Sequence, residues 1–242
     1  MAGCPESLML AWADDEYVVG QQLITLTGMY GPDLEEAIAI GSIGQDHLGH
    51  ALHLYRLVCP DELTVNRLIY ERETTAYRSC HLCDIWRPDD WAFIVVRQLL
   101  YDLADYERAC WAGRFDDPWP GLTGMMARET RLHIEHWSEW CRLLAQDNYG
   151  HARLVEAFNI TWPLAFDFFV APEQVPDSWS ACQDAWVEVV QAIFGAAGVP
   201  IPEGTPTAHI ASGRSGRHLP ELAHLLSEAH AYHLSRPAWQ WE

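Results

Sequence analysis

Apolar residues recur at helical spacing along nearly the whole chain, and the strict alternation of a half-buried strand is almost absent. That pattern restricts the fold to helices packed on helices. Trp12 to Thr27 reads as a first amphipathic helix, with Asp14, Asp15 and Glu16 near its start, where the helix dipole favours acids. Gly28 to Asp33 is a turn. Asp33 and Glu36 make the cap signal of a second helix that runs to about Val58 and stops at Cys59-Pro60. A third helix is expected from Asp61 to about Cys83 and a fourth from Trp91 to Trp111. After a turn at Pro118 to Gly121, a fifth is expected from Leu122 to Ala145. Tyr149 to Phe169 (kinked at Pro163), Ser178 to Ala197 and Leu219 to Leu234 complete the series, with Gly198 to Gly216 as a long loop. Long helices joined by short turns predict an all-α, up-down bundle. Composition does not shift sharply, so we expect one domain, with a core bundle over about 8–147 and C-terminal helices over about 149–236.

The formal net charge is −19 with only 15 Lys+Arg. A field of that sign repels phosphates, which excludes nucleic acid and anionic membrane as natural partners. The 7 cysteines are an odd number, and residues 1–10 lack the basic and apolar regions of a signal peptide. No run of apolar residues is long enough to span a bilayer. A cytoplasmic protein with reduced thiols is expected. Cys80-His81-Leu82-Cys83 has the Cys-x-x-Cys spacing without a second pair, so buried thiols on a helix are the default. Trp137, Trp140, Trp162, Phe166, Phe168 and Phe169 are expected in the core. Trp239 and Trp241, at the chain end, instead suit docking on this subunit or a partner.

A carboxylate-bridged di-metal bundle makes a definite demand on sequence. Two helices each give one Glu, and two others each give Glu-x-x-His, because residues three apart share a helix face. The carboxylates balance the charge of two buried ions. The second helix offers His47-Leu48-Gly49-His50, with imidazole at the Glu position. The fifth offers Thr130-Arg131-Leu132-His133, and Glu129 is one residue off the face. The first helix shows no interior Glu in this reading, and the fourth offers Asp102, Asp105 and Glu107. Thr25, His47, His50, Asp102, Thr130 and His133 are then the positions of a degenerate metal site. His47, His50 and His133 with Asp102 also make a donor set for one ion, beside the reading of these histidines as hydrogen-bonded core groups. Gly49 would permit close helix packing there. Gly213 to His218 is basic in an acidic chain, which makes Arg214, Arg217 and His218 candidate contacts for an anion or a partner.

Several motifs in order resemble the phenylacetyl-CoA epoxidase C subunit family. Leu34 to Ile40 leading into Gln45 to His50 is similar to that family's second helix. Gln21-Gln22-Leu23, Tyr70 to Arg78, Val96 to Asp102, Glu129 to Trp137 and Gly213 to His218 resemble its later motifs. The resemblance covers most of the chain. It implies a ferritin-like bundle and a non-catalytic subunit of a multicomponent aerobic oxygenase that epoxidises the ring of an aryl-acyl-CoA. It further implies a homologous partner subunit carrying the di-iron site, a separate flavin/iron–sulfur reductase, acyl-CoA at the interface, and no cofactor in this chain. Two features depart from the family. His47 and His50 stand where it usually has Leu and Gln, and Leu219-Pro220 replaces Thr-Glu after the loop histidine. These departures keep open an alternative, a metal-dependent oxygenase with its own histidine-rich site.

Overall fold

The computed structural model describes residues 4–28, 31–59, 61–116, 118–170, 179–202 and 212–235. All regular structure among them is helical, as the patterning predicts: α1 (Glu6–Leu26), α2 (Leu34–Val58), α3 (Glu62–Tyr70), α4 (His81–Asp84), α5 (Trp91–Ala112), α6 (Trp119–Leu144), α7 (Asn148–Ala165), α8 (Ser180–Ala196) and α9 (Pro220–Ser235). No helix among the described residues is long and apolar enough to cross a membrane. Trp239 and Trp241 lie outside them.

The chain sorts into two compact units. One joins Glu6–Trp86 to Ala211–Glu242, and so holds α1 to α4 and α9. The other comprises Arg87–Ile210 with Met1–Pro5, and holds α5 to α8.

In the first unit α1 and α2 form an antiparallel hairpin. Tyr55 of α2 meets Asp14 of α1, His47 and His50 meet Glu16, and Gly44 packs against Leu23. A Cβ on Gly20 would lie 2.8 Å from Leu48 Cγ and 3.0 Å from the Gly44 carbonyl oxygen. The close approach is therefore at Gly20 and Gly44. It is not at Gly49, whose Cβ position has nothing within 4 Å. Asp33 caps α2 by accepting from the Glu36 N–H at 2.8 Å, as its sequence signal predicts.

Two expectations need correction in this unit. First, α1 begins at Glu6, two turns before Trp12, so Asp14, Asp15 and Glu16 sit mid-helix and are fully buried. Residues Ala11 to Gly20 are all buried, and a helix covered on every side loses the polar face by which its start would be read. Second, the helix expected to reach Cys83 ends at Tyr70. Tyr77 and Cys80 are extended, and the Arg78 and Cys80 N–H groups donate to the Asp14 and Asp15 carboxylates at 2.7 and 2.9 Å. Continuing the helix would spend those donors internally and leave two buried carboxylates short of partners.

In the second unit α5 and α6 are antiparallel: Trp91 packs on Trp137 and Trp140, and Asp105 meets Thr130. α6 starts at Trp119, since Pro120 in the first turn needs no N–H partner there. α7 and α8 also pair antiparallel. Trp162 stacks on Trp186 with ring centroids 5.2 Å apart, and Phe158 meets Phe194 at 4.7 Å. The Trp186 indole N–H donates to the Leu100 carbonyl at 3.0 Å, which fixes α8 against α5. Trp137, Trp162, Phe166, Phe168 and Phe169 are core residues of this unit, as expected, whereas Trp140 is only half-buried.

Candidate functional site

Three consecutive acids on a helix point about 100° apart. In the middle of α1, where Asp14, Asp15 and Glu16 are each 0% exposed, that spacing sends three carboxylates to three different partners.

Asp14 faces the Arg72 guanidinium, which it pairs with directly, and the Tyr55 hydroxyl, which donates to it at 2.6 Å. Arg72 in turn lies over the Tyr77 ring, 4.0 Å from its centroid. Asp15 takes both arms of Arg214: Nη1 donates to Oδ1 and Nη2 to Oδ2, each at 2.8 Å. Arg214 also donates to the Ala11 and Arg78 carbonyls, so the loop that reads as a candidate anion contact turns inward and fastens α1. His218 bonds Asp84 at 2.9 Å, and Asp84 also accepts from Ser79 Oγ at 2.8 Å. Arg217 is exposed. Burial opposes protonation of His218, but the hydrogen bond and charge of Asp84, the Tyr77 carbonyl and the Asp14 charge together outweigh it and raise its pKa.

Glu16 differs from its neighbours. Its Oε2 accepts from Nδ1 of His47 at 2.8 Å and Nδ1 of His50 at 3.1 Å, and both imidazoles are buried. One carboxylate oxygen and two imidazole nitrogens thus converge between α1 and α2. Burial alone would push the Glu16 carboxyl up. The two imidazoles hold it well below the usual carboxylate range. The two rings meet edge to face, with centroids 6.1 Å apart.

The spacing of His47 and His50 marks their shared face. Glu16 escapes the sequence reading because the apparent helix start puts it at an end. Thr25 does not face this group: it is exposed, and its hydroxyl donates to the Gln22 carbonyl at 2.6 Å. Gln22 is buried, and its amide donates to the Cys83 carbonyl at 2.8 Å, tying α1 to α4.

A second set of ligand-type atoms surrounds Asp15, where Cys80 and Cys83 have Sγ atoms 3.4 Å apart and Cys83 Sγ lies 3.6 Å from Oδ1. Burial and the neighbouring Cys80 thiol raise the Cys83 pKa well above the ordinary thiol value. Neutral thiols beside a carboxylate already clamped by arginine are a packing arrangement, not a ready ion site.

The remaining predicted positions belong to the second unit. Asp102, Thr130 and His133 are all buried. Asp102 accepts from the Gln98 amide at 3.1 Å. Thr130 stands where a Glu-x-x-His pair would have its carboxylate, and its hydroxyl donates to Asp105 Oδ2 at 3.4 Å. Asp105 pairs with Arg108 at 2.8 Å, and that guanidinium sits over Phe168. A groove of about 820 Å³ also opens in this unit, lined by Cys141, Arg142 and His151 with the small side chains of Ala192 and Ala196.

Neither unit by itself supplies the carboxylates of a bridged pair at these positions. In the first unit the hairpin centre supplies one carboxylate and puts an imidazole, His47, where the pair needs a second. In the second unit α6 puts a hydroxyl at the equivalent position. Two ions carry at least four positive charges, and a dry site must compensate them.

Among known families, one described as phenylacetic acid catabolic protein matches residues 6–241. No curated protein matches the chain.

Proposed function

From the premise that this chain belongs to the phenylacetic acid catabolic protein family, we propose that it is a partner subunit of a multicomponent oxygenase acting on phenylacetate-type acyl-CoA esters. It supports a homologous subunit that holds the di-iron pair. One observation carries the reading. The two helices that would each present Glu-x-x-His keep both histidines, His50 and His133, and have His47 and Thr130 where the glutamates belong. The helical scaffold is retained and well packed, while the charge needed to hold two bridged ions is not.

In this role the buried ion pairs serve shape. Asp14–Arg72 and Asp15–Arg214 lock α1 to the extended segment at residues 77–80 and to the loop before α9. A rigid hairpin is what a partner needs as a docking template. Exposed Leu34 and Ile38, in the first turns of α2, offer apolar surface for such docking.

The test is reconstitution. The chain is co-expressed with a homologous subunit that carries intact Glu-x-x-His pairs, and the complex is assayed with reductase and phenylacetyl-CoA. The expected result is co-elution in fixed proportion, with turnover that is lost when this chain is withheld. Turnover by this chain and reductase alone, or a homologous subunit fully active without it, would overturn the proposal.

A further inference from the structure

We infer that the α1–α2 hairpin binds one divalent first-row transition ion through Glu16 Oε2, His47 Nδ1 and His50 Nδ1, a two-histidine, one-carboxylate site. Each of the three side chains offers a ligand atom within 4.8 Å of those of the other two, and all three are buried.

Two donors bound at about 2.1 Å from one ion and at right angles are about 3.0 Å apart, whereas a tetrahedral pair is about 3.4 Å apart. The two carboxylate-to-imidazole edges here are 2.8 and 3.1 Å. They match two cis edges of an octahedron sharing the carboxylate oxygen. The donor class, two imidazoles and one carboxylate, is the one that selects iron(II) and its first-row neighbours over calcium or magnesium.

Charge supplies the second reason. Asp14 and Asp15 are each neutralised by a guanidinium. Glu16 is equally buried, and it meets two imidazoles, groups that are as well suited to bind a metal as to bind a proton. A cation bound here would in turn be compensated in part by the Glu16 carboxylate.

Sequence placement supplies the third. His47 and His50 share a face by their spacing of three, and Gly20 and Gly44 bring the two helices close enough for one side chain of α1 to reach both. The feature that removes a bridged pair, an imidazole at position 47, is the one that completes a mononuclear set.

The inference goes beyond the subunit assignment and does not need the partner, so the experiment uses the full chain alone. The protein is stripped with chelator and titrated with cobalt(II) under anaerobic conditions near neutral pH. We expect one equivalent bound, weak absorption bands of a five- or six-coordinate ion, and a rise in melting temperature on loading. Glu16→Gln, which keeps the size and hydrogen-bonding shape of the side chain, and His50→Ala should each weaken binding about 100-fold or more. Circular dichroism of both variants checks that the helices persist. If His50→Ala fails to fold, the Glu16→Gln result alone decides. No binding, two equivalents, or one equivalent unaffected by these substitutions would overturn the inference. So would an intense thiolate-to-cobalt band, since it would assign the ion to Cys80 and Cys83.

Discussion

Arg214 shows how much a single side chain carries. It lies in a glycine-rich stretch, and its partner is 199 residues away in sequence, so local patterning reads the loop as a solvent-facing contact for anions. The fold instead buries the guanidinium against Asp15. Removing one member of such a pair strands the other charge. Arg214→Ala should therefore lower stability by about 3–5 kcal/mol, measured by urea denaturation. Arg214→Lys should recover only part, because an ammonium cannot span both carboxylate oxygens. His218 makes a prediction with a sign. Its pKa is raised in the folded protein, so its contribution is fully present below about pH 6.5 and is lost as pH rises through the elevated value. Denaturation curves should show the wild type losing its advantage over His218→Gln as the buffer is made alkaline. What was legible in advance lies in local spacing, the shared face of His47 and His50. Glu16 and Arg214 depend on where a helix begins and on what a distant loop meets.

At the scale of elements, the hairpin of α1 and α2 depends on two glycines. Alanine at Gly20 gains about 1 kcal/mol of helix propensity but meets Leu48 and the Gly44 carbonyl. Overpacking costs of about 1–3 kcal/mol should make the net effect destabilising. Because the same contact sets the distance from α1 to α2, Gly20→Ala should also disturb the Glu16 group. Two-dimensional NMR of the imidazole nitrogens of His47 and His50 would detect the change. Gly216 is a stricter case. It has φ +78°, and a Cβ there would collide with the Thr75 carbonyl oxygen, so Gly216→Ala should destabilise more than Gly20→Ala in the same denaturation assay. α9 adds a counterpart to His218. The His230 Nε2 meets the Tyr17 hydroxyl at 3.0 Å. Burial, with His233 and Arg72 nearby, pulls the His230 pKa down to about 4. A depressed histidine contributes stability above about pH 6.5 that is lost as pH falls toward its folded value, so His230→Gln should blunt the wild type's loss of stability on acidification. Most helices were legible because caps and periodicity are local. The Asp33 cap, the stop of α2 at Cys59 and the span of α5 are instances. The end of α3 was not, because buried carboxylates 58 or more residues earlier in the chain recruit Arg72, Arg78 and Cys80 and override helical propensity.

At the scale of the whole molecule, the family of phenylacetic acid catabolic proteins supplies the helical architecture, and this chain's own residues decide what its centre holds. The all-α class was evident from periodicity alone. The sorting of α9 with α1 to α4, and of α7 and α8 with α5 and α6, was not, since it follows from long-range pairs such as Asp15–Arg214 and Leu100–Trp186. The account rests on carboxylate supply. His47 and Thr130 remove two carboxylates from the positions a bridged pair would use, and Glu16 leaves the α1–α2 hairpin with one. The most direct measurement is Mössbauer spectroscopy of the full chain loaded anaerobically with isotopically enriched iron(II) and then exposed to oxygen. The account predicts one iron per chain with no exchange coupling. An exchange-coupled diferric pair would contradict it.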